Sequence, residues 1–215
     1  MKKFGIGCAL MAGIGLVVLI LALGAIASYN QLVKLSQAVD NQWAQVQNVY
    51  QRRLDLIPNL VATVSGAAEF EKSTLTEITE ARASVGQLRL DPNSAPVDPA
   101  KLAEFEKAQA ALSAALARLL LVVERYPQLR ATENFRDLQA QLEGTENRIA
   151  VERARFNEAV RAYNTAIKSF PALLYAGWLG FKERPYFTAS TGADTPPKVQ
   201  FNFSPRTGQA QEPHN

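Results

Sequence analysis

From Phe4 to Ala27 the chain carries no charged and no strongly polar side chain; beyond Ser28, apolar positions recur at intervals of three and four with polar residues between them. The first pattern has the length of a membrane crossing. Its 24 residues, at about 1.5 Å of rise each, make a helix of about 36 Å, which crosses a hydrocarbon core of about 30 Å with some tilt. A cleaved secretory signal is the rival, because Ala25-Ile26-Ala27 precedes Ser28. A signal's apolar core is usually about 7–15 residues, so an uncleaved transmembrane anchor over residues 1–28 is expected. Lys2 and Lys3 precede the run whereas only Lys34 follows it closely, a bias that predicts a cytoplasmic N-terminus and a body outside the cytoplasm. Gly5, Ala9 and Gly13, and again Gly24 and Ser28, recur at four-residue spacing; ordinary glycine usage in membrane helices accounts for them better than a self-association seam.

The body, residues 29–187, reads as helix. Leu32, Leu35, Val39, Trp43, Val46, Tyr50 and Leu54 form one amphipathic stripe. Pro58 lacks a backbone donor and crowds the carbonyl four residues back, so a kink or restart is expected there. The stripe resumes at Val61 and Val64 and runs through Leu75, Ile78, Ala81 and Val85 to Leu88, which predicts one long first helix rather than a hairpin at Pro58. Residues 89–97 read as a loop. Asp98 then caps a second helix with Pro99 in its first turn, and Leu102, Phe105, Leu112, Leu116, Leu119, Val123 and Tyr126 point inward before Pro127. A third helix opens at Thr132-Glu133, where the hydroxyl can cap it. It carries Phe135, Leu142, Ile149, Phe156, Tyr163 and Phe170 at a seven-residue interval, the mark of a long helix packed at a shallow angle.

After Pro171 a dense apolar stretch, Ala172 to Phe181, is expected to dock on the distal end of the bundle. Residues 188–215 read as an extended or disordered tail, in which Val199, Phe201 and Phe203 alternate as an edge strand would. The predicted fold is all-α: an N-terminal transmembrane helix continuing into an elongated antiparallel helical bundle. It has three long helices, the first kinked or divided at Pro58, plus the short C-terminal apolar segment.

Composition narrows the chemistry. The 215 residues include one histidine, His214, next to last, and one cysteine, Cys8, inside the apolar run. No Ser/His/Asp or Cys/His catalytic set, zinc site or histidine-containing di-iron site can be assembled from these, and no disulfide within one chain. Carboxylates that share a helix face, Glu77 with Glu80 and Glu143 with Glu146, sit among polar neighbours with no apolar pocket to raise a pKa. There is no glycine-rich phosphate loop. No catalytic residue, cofactor, metal or small-molecule substrate is therefore predicted. Lys and Arg number 23 against 20 acids, and 21 against 20 without Lys2 and Lys3, which is no nucleic-acid footprint.

The distinctive polar feature precedes Pro58. Between Ser28 and Gln51 there are nine amides and only two charges, Lys34 and Asp40. Gln37, Asn41, Asn48 and Gln51 line the face opposite the Leu32/Val39/Val46 stripe. An amide face can be covered by another protein without stripping water from full charges, which makes it a candidate contact surface. A solvated face that happens to use amides is the simpler reading, since mid-helix asparagine is tolerated on surfaces. Arg53 lies near the inward stripe, and Glu152, which breaks an apolar seam, is the expected partner that would fix register.

Tyr29-Asn30-Gln31-Leu32-Val33, Trp43, Arg52-Arg53-Leu54-Asp55-Leu56-Ile57-Pro58-Asn59-Leu60-Val61, Ala81-Arg82, Tyr163-Asn164, Phe170-Pro171 and Gly180-Phe181-Lys182 with Tyr186-Phe187 resemble the LemA family of bacterial membrane proteins. The resemblance extends to about Phe203. It implies a single-pass protein with a helical-bundle body, without an established activity or assigned catalytic residues. Some relatives are tied to membrane shaping, including in magnetosome formation, so that role is an analogy. The expectation is a non-enzymatic protein of the bacterial cell envelope, single-pass in the inner membrane. Its expected partners are the lipid bilayer and either a second copy (a homo-oligomer) or another envelope protein. A membrane-shaping protein is one alternative. A hydrolase, or a subunit of one, using carboxylates near Arg52, Arg53 and Asp55 is the other.

Overall fold

The computed structural model describes the backbone of residues 2–66, 71–88 and 90–188. His214 and the alternating Val199, Phe201 and Phe203 lie outside the described residues. Helix α1 runs from Lys2 to Ser65, about 96 Å at 1.5 Å per residue. Its N-terminal part stands clear of the bundle: the large apolar side chains from Leu16 to Leu23 are each more than half exposed. This stretch is long and apolar enough to cross a membrane. From Leu32 onward the predicted stripe is buried at Leu32, Val39, Trp43, Val46 and Tyr50. Then follow α2 (Lys72–Gln87), α3 (Pro99–Val123), the single turn α4 (Pro127–Arg130), α5 (Glu133–Lys168) and a 3-10 turn at Ala172–Leu174. The protein is all-α, a helical bundle on a long N-terminal helix, as the periodicity predicts.

The far end of the first helix departs from expectation. α1 passes through Pro58 and ends at Ser65, and α2 then runs back beside it, so the division falls after Gly66 and not at Pro58. Three long helices become four among the described residues. Glu71, which precedes α2, meets Arg125, just past α3, at 2.8 Å, and Glu77 of α2 meets Arg118 of α3 at 3.1 Å, as antiparallel neighbours do. The stripe concealed the reversal because Val64, Ile78 and Val85 all face one core, so the spacing of three and four continues across the turn.

Pro58 has no N–H to offer the carbonyl of Leu54. Arg82 on α2 takes that place, its Nε donating to the Leu54 carbonyl at 3.2 Å. Arg82→Ala is therefore expected to cost about 1 kcal/mol in the native chain and close to nothing in a Pro58→Ala background, where alanine restores the helix's own donor. A double-mutant cycle of unfolding free energies measures the coupling.

A fourth pass also returns the chain to the membrane end. α5 runs antiparallel to α1, and the segment after Pro171 packs beside the exit of the apolar run: Ala172 and Ala176 lie against Leu32. The Phe181 ring meets Tyr29 edge-on at 5.8 Å. The expected docking at the distal end is thus corrected, because an odd number of passes ends far from the membrane and an even number ends beside it.

From Phe181 to Thr188 the chain leaves helix and follows α5, held by two asparagines one heptad apart. Asn164 Nδ2 donates to the Arg184 carbonyl and its Oδ1 accepts from the Arg184 N–H, both at 2.9 Å. Asn157 does the same with Phe187, at 3.0 and 2.9 Å. Of the seven-residue series, Phe135, Leu142, Ile149, Phe156 and Tyr163 are buried, whereas Phe170 lies past the end of α5 and is 77% exposed. Asp98 caps α3 as predicted, its Oδ1 accepting from Ala100 N–H at 2.9 Å. The Thr132 hydroxyl instead donates to the Leu129 carbonyl at 2.7 Å, so α5 starts where expected without a side-chain cap.

Candidate functional site

Trp43 is the meeting point of the lower bundle. Fully buried, its ring lies 5.6 Å from Phe105 of α3, 5.7 Å from Phe156 of α5 and 6.1 Å from Phe187 of the strapped segment. Its indole N–H donates to the Asp91 carbonyl at 2.9 Å, which ties the loop before α3 to α1. One turn earlier, Asp40 Oδ1 accepts from Ala95 N–H at 2.9 Å and faces Arg184 at 3.6 Å. Arg184 in turn donates to the Ala95 carbonyl.

Above this aromatic layer sits a polar one. Arg53, 1% exposed, donates from Nη1 to Ser113 Oγ at 2.9 Å and to Glu146 Oε1 at 2.5 Å, and from Nη2 to Gln109 Oε1. Its guanidinium lies 5.2 Å from the Tyr50 ring. The expected partner Glu152 is corrected to Glu146; Glu152 accepts instead from Gln42 at 2.5 Å and from Arg155 at 2.8 Å. The register explains the change. Trp43 sits opposite Phe156, so in an antiparallel pair ten residues up α1 means ten residues back along α5, which is Glu146.

Beside it Arg153 donates to Glu106 and to the Thr188 carbonyl, each at 2.8 Å, and lies 4.7 Å from the Phe187 ring. Burial pushes the Tyr50 phenol above its usual range, against the downward pull of Arg153 and Arg53. Burial likewise raises Tyr163. Both phenols therefore stay neutral near pH 7 and offer no anionic base.

The predicted contact residues Gln37, Asn41, Asn48 and Gln51 are all exposed on α1, with Gln45, Arg52 and Asn59 along the same side. Gln51 donates to Asp55 Oδ1 at 2.7 Å. Arg52 and Asp55 are exposed while Arg53 is buried, so the three do not converge on a shared cavity. Of the remaining motif residues, Asn30 and Pro58 are exposed, Tyr163 and Asn164 are buried, and Gly180 turns the chain at φ +84° ahead of Phe181. That left-handed angle suits glycine.

Sequence reasoning missed the Asn157/Asn164 straps and the Arg153–Glu106 pair, although two asparagines at heptad spacing on the most periodic helix were visible. Clefts among the described residues include one of about 460 Å³ between α3 and α5 over Leu116, Leu120 and Leu142, and one of about 520 Å³ beside Gly24, Ala27 and Leu32. Among the described residues no group of three or more His, Cys, Asp or Glu side chains is placed to hold a metal.

A long helix that leaves an apolar stretch bare and then organises a bundle, with buried Arg53 and Asn164 joining segments to one another, defines a membrane-associated helical-bundle protein. The pattern of the LemA family matches residues 42–201, and the chain belongs to that family. It is similar to the magnetosome protein MamQ of Magnetospirillum gryphiswaldense, 28% identical over 205 residues that cover 87% of this chain and 75% of the relative. MamQ 2 of Paramagnetospirillum magneticum is 28% identical over 183 residues, covering 78% and 67%. Protein LemA of Metamycoplasma hominis is 23% identical over 150 residues, covering 69% and 60%.

Proposed function

We propose that this is a non-enzymatic, membrane-anchored protein of the bacterial cell envelope that works by contact, through self-association or by holding an envelope partner on the outer face of α1. The lysine bias at residues 2 and 3 supports a body outside the cytoplasm and an anchor in the inner membrane. The observation that carries the reading is the bare face at Gln37, Asn41, Asn48 and Gln51: long, amide-rich, and pointed away from a bundle in which Arg53 and Arg153 are paired with Glu146 and Glu106. Covering amides removes far less hydration than covering charges.

In a Cys8→Ser background, cysteine at Asn41 or Asn48 is expected to give oxidative cross-links in native membranes, whereas cysteine at the exposed Ala111 of α3 gives none. For a partner other than a second copy, a photo-reactive side chain at Asn48 gives an adduct of different mass. No product at the amide face, or equal product at Ala111, overturns the reading. Membrane shaping is a second reading, favoured by the similarity to magnetosome proteins; tubulation or vesiculation of liposomes on reconstitution tests it.

A further inference from the structure

We infer that the loop from Ser169 to Phe181 is a second membrane contact, an apolar hairpin seated in the lipid interface beside the point where α1 leaves the bilayer. The inference rests on the reading that α1 spans a membrane. The 13 residues from Ser169 to Phe181 carry no charge and are bracketed by Lys168 and Lys182. Lys168 and Glu183 join at 2.8 Å across the neck of the loop. Inside it the small residues Ala172 and Ala176 turn toward the bundle, while Phe170, Leu173, Leu174, Trp178 and Leu179 turn outward at 55 to 93% exposure. Water-soluble surfaces rarely gather so much bare apolar side chain in one place.

Position identifies what covers it. Phe170, Pro171 and Ala172 share a cleft with Gly24, Ala27 and Ser28, the last turn of the apolar run. The loop therefore lies level with the end of the span, where a bilayer that accepts α1 already is. Tryptophan is favoured at that depth, and flanking lysines reach the headgroups. The backbone suits the same environment, which gives no hydrogen bonds to an exposed N–H. Those of Leu173, Leu174, Tyr175, Ala176, Leu179, Gly180 and Phe181 all bond to carbonyls between Ser169 and Gly177.

The chain contains two tryptophans, and their placement makes the test clean. Trp43 is buried, about 24 Å along α1 from Ala27, while Trp178 is 93% exposed. In proteoliposomes of the full-length protein, lipid brominated near the top of the acyl chains is expected to quench the Trp178 emission about twofold or more. That quenching is lost in Trp178→Phe, where Trp43 alone remains. Emission quenched by aqueous acrylamide and not by brominated lipid overturns the proposal. So does emission shielded from both, with cross-links between copies at the loop, since a second copy would then cover it. A Leu16→Trp probe in the Trp178→Phe background, read with lipid brominated deep in the acyl chains because Leu16 lies mid-span, separates the two readings. If it is quenched and Trp178 is not, the loop proposal alone fails; if it is not quenched, the spanning reading fails and takes the loop with it.

Discussion

Replacing Trp43 by alanine is expected to lower the unfolding free energy by about 3–5 kcal/mol. The indole is 0% exposed and contacts rings from α3, α5 and the strapped segment, so its loss leaves a void that no single neighbour can fill. Each aromatic pair also contributes about 0.5–1.5 kcal/mol beyond burial alone. Two tethers loosen with it: the Asp91 carbonyl loses its donor and Phe187 loses its stacking partner. Denaturant unfolding of the full chain in detergent, followed by far-UV circular dichroism, measures the loss. Limited proteolysis near residues 181–188 should accelerate in parallel. Trp43→Phe keeps most of the burial and removes the N–H, so it should cost about 1 kcal/mol. An alanine variant that loses no more than the phenylalanine one would show that the aromatic layer does not hold the lower bundle together.

Removing Glu146 is the second large effect, and its asymmetry is the informative part. Glu146→Ala should cost about 3 kcal/mol because Arg53, 1% exposed, keeps its charge and loses its counter-ion. Arg53→Met should cost less, since Glu146 is 45% exposed and can hydrate itself. The residual cost of Arg53→Met comes from the Gln109 and Ser113 oxygens that lose their donor. Adding Gln109→Leu should recover part of it, as apolar groups of similar volume often replace a buried ionic cluster without loss. Arg53 Nε and Gln109 Nε2 already lack partners, which points the same way. Equal losses for Glu146→Ala and Arg53→Met would contradict this account.

Much of the molecule was legible in one dimension because its strongest signals are local. The uncharged run, the stripe on α1, the Asp98-Pro99 start of α3 and the heptad series of α5 each depend on neighbours within a few turns, and each lies where periodicity puts it. The candidate contact face was readable for the same reason: residues opposite a buried stripe are exposed whatever the stripe packs against. Gly66 was the weak point. One glycine between two apolar stripes that are in phase gives no break in periodicity, and everything that follows from the number of passes was then misplaced.

The sequence alone determined that the chain is helical, that its first segment has the length and polarity of a membrane span, and which faces turn inward, since these depend on composition and on spacings of three, four and seven. Tertiary structure decided the rest: the reversal after Gly66, the choice of Glu146 over Glu152 for Arg53, the use of Arg82 to serve the carbonyl freed by Pro58, and the return of the apolar loop to the membrane end. Each depends on the register between segments far apart in the chain, 28 positions for Arg82 with Leu54 and 93 for Arg53 with Glu146. Periodicity fixes which side of a helix is buried; only the packed bundle fixes what lies opposite it.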